Sequence, residues 1–413
     1  VVGTVYREAV QCGKLISRLF PQGAWRYEAA KRDLRLDLLR GFAVLAMVAD
    51  HIGGTHSWLY AITGGDGFFV SAAEVFVFIS GLLMGIISAG TIARQGLGAA
   101  LMKTLQRAWT LYLLTISLTL TFVVLSLQLD LRWGDAIVYR TWADLVMSVL
   151  TLHQTFYLTD ILLLYTLLVL ATVLVLTLLE HGHTRLVLTG SWGLWALWQL
   201  APQHAQIPWP IADNYVFNFA AWQMLFFTAM VLGYHRQRLE QWVILGSERV
   251  LLTLTGVSVV VAIGFYLAYA PPHATLEPSV VDSLFGKADL RVGRLLVFAG
   301  FFGFAFLLLT TAWKPIRSLF GWLFLPLGQD ALSAYILHLF VVALAVKLRP
   351  WLIDDHPMHN SLFQIAGIAL IWAAIRLRPM LSVTLHTGLG QATALLAAGR
   401  AYLSVAEYPG RER

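Results

Sequence analysis

The sequence predicts an all-α integral membrane protein: about ten transmembrane helices in a single bundle, with both termini cytoplasmic. Three observations carry this. Of 413 residues, 58% are hydrophobic and only 13% charged, about half the charged share of a soluble domain. The apolar residues gather in segments close to the roughly 20 that a helix needs to cross a bilayer. The basic residues gather in alternate connections between those segments.

Residues 1–36 read as a cytoplasmic or interfacial segment. They lack the apolar core of a signal peptide, and "VYREAVQCGKLISRLF" has the mixed pattern of an amphipathic helix lying in the interface. The chain opens on Val1 rather than Met, so residues ahead of it are expected. A transmembrane domain follows at 37–378. Its candidate spans lie at about 38–56, 70–90, 108–128, 157–179, 185–200, 215–234, 250–270, 295–313, 330–347 and 361–377. The fifth is short, Trp-rich and hemmed by Arg185 and Pro202. Residues 141–156 suit a second interfacial helix on the opposite side. The tail, 379–413, includes a mildly apolar stretch at 380–398 that fits a cytoplasmic or surface-lying segment.

Orientation follows from charge. With the N-terminus inside, the inner segments (1–40, 91–107, 185, 236–249, 314–317 and 376–413) hold 22 of the 29 Lys and Arg residues. The outer segments hold 7, namely Arg132, Arg140, Lys287, Arg291, Arg294, Lys347 and Arg349. The opposite topology would break the positive-inside rule. The net charge of +6 therefore reports topology and implies no nucleic-acid partner. Cys12 is the only cysteine, which excludes an intramolecular disulfide and a cysteine metal cluster.

The first span carries the chemistry. "RDLRLDLLRGFAVLAMVADHI" (32–52) places Asp37, Arg40, Asp50 and His51 in or beside one apolar helix. Eleven residues separate Arg40 from His51, about three turns and about 16 Å of rise, so both fall near one face, with Asp37 a turn below. Asp37 and Arg40 sit where headgroups tolerate charge and also read as an interfacial salt bridge. His51 lies deeper, where an ionisable group is costly and marks a site by default. Asp50 beside it is suited to orient or charge the imidazole.

The stretch resembles the first helix of the membrane-bound acyltransferases of family three, in which an arginine, ten residues and a histidine recur. Together with "AAEVFVFISGLLMG" (72–85) and "LGQDALSAYILHLF" (327–340), it resembles more closely the OpgC-type succinyltransferases that decorate periplasmic glucans. The resemblance implies transfer of a succinyl or acetyl group from cytoplasmic acyl-CoA to a hydroxyl of an extracytoplasmic glucan or other saccharide, in a bacterial inner membrane. It implies His51 as general base, Arg40 as partner of a donor phosphate or of the thioester carbonyl, and Asp37 as the residue that holds Arg40. The expected partners are acyl-CoA as donor substrate, a saccharide acceptor and the bilayer, with no metal. The chain departs from the family-three pattern where a pair of arginines three apart is common. Here Lys103 and Arg107, four apart, share a helix face and suit CoA phosphates or a positive-inside anchor.

Other residues keep two readings. Glu74 suits pairing with His51, lining the acceptor entrance, or snorkelling to the outer headgroups. Ser80 and the Gly81–Gly85 pair form a small-residue face for close helix packing. Tyr335 and His338, with Ser333, share a face only in part. His338 fits acceptor hydrogen bonding, support of His51, or a bond to a neighbouring helix. His153, His204, His273, His356 and His359 read as solvated loop residues without metal-ligand spacing. Trp192, Trp195 and Trp198 read as interface anchors, and Trp133 or Trp209 as candidate sugar-stacking residues. Asp282, Asp289, Asp354 and Asp355 are further acids on the outer side.

Two other classes fit the composition. A polytopic transporter of a small anionic or saccharide substrate would also bury charge, usually with paired repeats and broken helices; the chain shows no repeat. A scaffold would not need the Asp37–Arg40–His51 stripe. Consumption of acyl-CoA separates the enzyme from both.

Overall fold

A computed structural model describes residues 25–28, 32–53, 56–64, 69–129, 141–156, 158–207, 210–212, 214–236, 248–269, 278–352 and 356–378. The expectations for 5–20, 380–398, Trp133, Trp209, His273, Asp354 and Asp355 lie outside the described residues.

The described chain is helical. In order run α1 (Leu34–Ile52), α2 (Tyr60–Thr63), α3 (Ala72–Leu129), α4 (Trp142–Leu150), α5 (Asp160–Glu180), α6 (Thr184–Leu200), α7 (Phe219–Tyr234), α8 (Glu248–Tyr269), α9 (Pro278–Phe285), α10 (Val292–Thr311), α11 (Trp313–Gln329), α12 (Ala331–Leu352) and α13 (Pro357–Arg378). The ten apolar segments correspond to nine of these helices, 70–90 and 108–128 both falling in α3. Among the described residues five helices, α3, α5, α10, α12 and α13, are long and apolar enough to cross a membrane, and α7 and α8 carry shorter apolar stretches.

α1 starts at Asp33, whose carboxylate accepts from Arg35 N at 3.2 Å, the usual way to satisfy an orphan amide at a helix start. It ends at Gly53, where φ is 79°. α3 is two limbs joined at Gly96, with φ 82° and ψ 169°, a backbone region that only glycine enters at low cost. The inner connection expected at 91–107 is therefore helical. "LGAALMKTLQRAW" has no helix breaker beyond Gly98, and the second limb runs on for about 50 Å at 1.5 Å per residue.

Packing follows residue size and polarity. α7 is buried almost all round, with Trp222, Phe226 and Met230 wholly enclosed, as a helix without a polar face must be. α3 lies against it at Gly81 and Gly85, where a Cβ would collide with Phe226 and Met230 carbonyl oxygens, so the small-residue face packs as its sequence predicts. α5 packs on α3 and also touches α7, while α8 and α10 pair with each other.

α11 is an element that the span pattern does not announce. It follows α10 and packs on α1, where Gly41 and Gly328 let the two backbones meet. Both its ends face the start of α1: Lys314 N donates to Trp25 O at 3.0 Å, and Arg32 Nη2 donates to Gln329 O at 3.4 Å. So α11 leaves and returns at one end of the bundle, called the lower end below. The amphipathic segment expected at 141–156 forms α4, which buries Leu145 and Val149 and exposes Trp142 and Met147.

Candidate active site

α1 is unbroken, so the rise of an α-helix puts Arg40 about 16 Å below His51. Three cavities follow one another along that interval. The lower, about 200 Å³, is lined by Arg40, Ser80, Ser88, Thr91, Lys103, Thr104, Arg107 and Tyr165, among others. The middle one, about 80 Å³, shares Arg40, Ser80, Arg107 and Tyr165 with the lower and adds Phe76, Ile161 and Tyr335. The upper, about 90 Å³, shares Phe76, Ile161 and Tyr335 with the middle and adds Asp50, His51, Asp160 and Lys287. Shared wall residues place them in succession along α1, a route of adjoining cavities that is cationic below and mixed in charge above.

At the top of the route two histidines meet. His51 Nδ1 lies 2.7 Å from His338 Nε2, and His338 Nδ1 lies 3.0 Å from the Tyr335 carbonyl oxygen. A carbonyl only accepts, so His338 Nδ1 carries hydrogen. With both rings neutral, His338 Nε2 is then an acceptor and His51 Nδ1 must donate to it. This leaves His51 Nε2 with a lone pair on a ring that lines the upper cavity. His338 is wholly buried, so its tautomer is insulated from water. The Tyr335 hydroxyl donates to the Leu158 carbonyl, which fixes α12 against the segment leading into α5.

Several predicted partners are arranged differently. Asp37 does not hold Arg40. Its carboxylate pairs with Arg32 at 2.6 and 2.8 Å at the α11 crossing, whereas Arg40 Nη2 donates to Ser80 Oγ at 3.1 Å. Arg40 Nε is buried with no hydrogen-bond partner, a donor that costs stability unless something accepts from it. Asp50 accepts from Thr63 Oγ1 at 2.9 Å, so the group on His51 Nδ1 is His338 and not this carboxylate. Glu74 neither meets His51 nor snorkels. It is wholly enclosed, pairs with Arg294 of α10, and accepts from Ser71 N and Oγ at 2.8 and 2.7 Å.

Lys103 and Arg107 both line the lower cavity, with Lys103 Nζ donating to Gln95 at 2.9 Å. Trp195 and Trp198 donate to Leu290 O and Asp289 Oδ1 at 3.1 and 2.8 Å and so hold the 287–290 connection. Among the described residues no three His, Cys, Asp or Glu side chains cluster as metal ligands.

Sequence reasoning missed Tyr165, Asp160 and Lys287. Tyr165 left a weak signal, a phenol in the middle of "DILLLYTLLVL" rather than in an interfacial belt. Asp160 looked like an ordinary acidic first turn, and Lys287 like any outer cation. Only tertiary packing brings α5 and the 287–290 connection to these cavities and makes them wall residues.

Comparison with known proteins adds one match. A family model described as OpgC protein covers residues 32–381. No curated protein and no solved structure matches the chain.

Proposed function

Since the chain belongs to the OpgC protein family, we propose that it is a transmembrane O-acyltransferase. It moves a succinyl or acetyl group from cytoplasmic acyl-CoA to a hydroxyl of an extracytoplasmic glucan or other saccharide. In this reading ten helices cross a bacterial inner membrane, both termini are cytoplasmic, and the lower end of the bundle faces the cytoplasm. The observation that carries it is the succession of adjoining cavities from the cationic lower one to the paired histidines.

Lys103 and Arg107 receive the donor's phosphates, and Arg40 turns its spare Nε–H on the donor within the route. The pantetheine arm runs through the middle cavity past Tyr165, bringing the thioester beneath His51. His51 Nε2 takes the proton from the acceptor hydroxyl as its oxygen bonds to the thioester carbon. The C–S bond then breaks, and the protonated His51 returns that proton to the leaving CoA thiolate. Asp50, Asp160 and Lys287 line the acceptor side and suit hydrogen bonding to sugar hydroxyls. His338 positions His51 without touching substrate.

The test is release of free CoA by the full chain in nanodiscs, given succinyl-CoA or acetyl-CoA with and without a gluco-oligosaccharide. Acceptor-dependent release should fall by about 10²–10⁴ in His51→Ala, with the variant folded by circular dichroism. Saccharide flux without thioester loss would overturn the reading in favour of a transporter.

A further inference from the structure

The upper end of the bundle carries a second concavity that the reaction route does not include. It holds about 490 Å³, and its lining includes Trp198, Gln203, Gln206, Asn214, Asn218 and Phe219. Among the described residues, none that lines it is formally charged. That separates it from the cationic lower cavity and from the upper cavity, where Asp50, Asp160 and Lys287 meet. A groove of primary amides beside an indole suits a neutral polyhydroxyl ligand. Amides both donate and accept, aromatic rings present a flat apolar face, and the described lining offers no fixed charge to select an ion. Asn214 Oδ1 is buried and without a hydrogen-bond partner, so the groove holds an acceptor that a ligand hydroxyl would satisfy.

Two segments tie this groove to the reaction route. In residues 214–219, Asn214, Asn218 and Phe219 face the groove while Val216 and Phe217 line the His51 cavity. In residues 287–289, Lys287 lines the His51 cavity while Ala288 O accepts from Asn218 at 3.3 Å and Asp289 accepts from Trp198 at 2.8 Å. The two spaces are therefore back to back across shared walls, on the side where α1 ends.

We infer that this groove is a remote binding site for a neutral saccharide chain, engaging sugar units several residues away from the hydroxyl that is acylated. The inference rests on the acceptor reading above, but its binding arm does not depend on catalysis. Gln203 and Gln206 are exposed, so their truncation leaves the fold and the reaction route intact.

Calorimetric titration of the full chain in nanodiscs with a neutral linear gluco-oligosaccharide tests the groove directly. A heptasaccharide should bind at least about tenfold tighter than the disaccharide, and the double variant Gln203→Ala/Gln206→Ala should lose about tenfold for the heptasaccharide alone. In turnover, the variant should raise KM for the heptasaccharide while leaving kcat and the KM for acyl-CoA unchanged. Equal affinity for the two saccharides, or an unchanged heptasaccharide affinity in the variant, overturns the inference. Binding that depends on length without any CoA release would support the groove and sink the transferase reading instead.

Discussion

His51 Nδ1 and His338 Nε2, contributed by residues 287 positions apart, stand 2.7 Å from each other. The contact couples the first and twelfth helices at the top of the route. It also orders the hydrogens: from the Tyr335 carbonyl through His338 to His51, each ring nitrogen has one consistent role. Substituting His338 therefore tests positioning apart from binding. His338→Leu leaves His51 Nδ1–H unmatched and should lower kcat by about 10²-fold or more with little change in KM. His338→Gln offers an amide oxygen as a replacement acceptor and should recover part of the loss. Equal loss in both variants would mean that His338 acts only through packing.

The lower cavity makes a separate claim. If Lys103 and Arg107 receive phosphate, Arg107→Ala should raise KM for acyl-CoA by about tenfold, and Lys103→Ala by less because Lys103 already bonds Gln95. Neither should change KM for the saccharide. Added salt should weaken donor binding in the wild type more than in either variant; initial-rate kinetics at two ionic strengths read this out.

Glu74 and Arg294 form an enclosed ion pair between α3 and α10. Removing one partner strands the other charge, so Arg294→Met should destabilise the protein by about 3–5 kcal/mol. Glu74→Gln combined with Arg294→Met should be less damaging than Arg294→Met alone, since no uncompensated charge remains. Thermal unfolding in detergent of the single and double variants checks the order.

Gly81 sits where α3 meets the Phe226 carbonyl of α7. Gly81→Val should separate the two helices and cost about 1–3 kcal/mol by overpacking. Because α3 also carries Ser80 and the cationic cavity, the same variant should weaken acyl-CoA binding, measured by titration at a temperature where it remains folded.

Asp33, just before α1, is the pH-sensitive anchor of the lower end. Burial pushes its pKa up, but the hydrogen bond and charge of Arg35, with Arg236 beyond, hold it below the usual aspartate value. A depressed folded pKa contributes stability above the unfolded value of about 3.9, and that contribution is lost as pH falls through the folded pKa. Asp33→Asn should lower stability at neutral pH and flatten the acid limb of the unfolding profile.

Much of this site was legible in the chain itself. Arg40 and His51 share a face because helix geometry leaves no alternative for two residues three turns apart on an uninterrupted apolar helix. Lys103 and Arg107 share one for the same reason. Partner choice was not legible. Asp37 and Arg40 look like a salt bridge along the helix, yet Arg32, outside the helix and bound to α11, takes Asp37. Glu74 looked like a surface or site carboxylate because its partner lies 220 residues away.

The sequence by itself determined the membrane class, the positions of the apolar helices, the polar stripe on α1 and the small-residue contact of α3. Each rests on local periodicity, residue size or hydropathy, properties that act within one helix turn or one span. The tertiary structure decided that His338 rather than Asp50 faces His51, that α5 supplies Tyr165 and Asp160 to the route, and that α11 braces α1 from below. Those outcomes depend on which helices become neighbours and how each is rotated. That is set by interdigitation across distant segments, and no window of adjacent residues contains it.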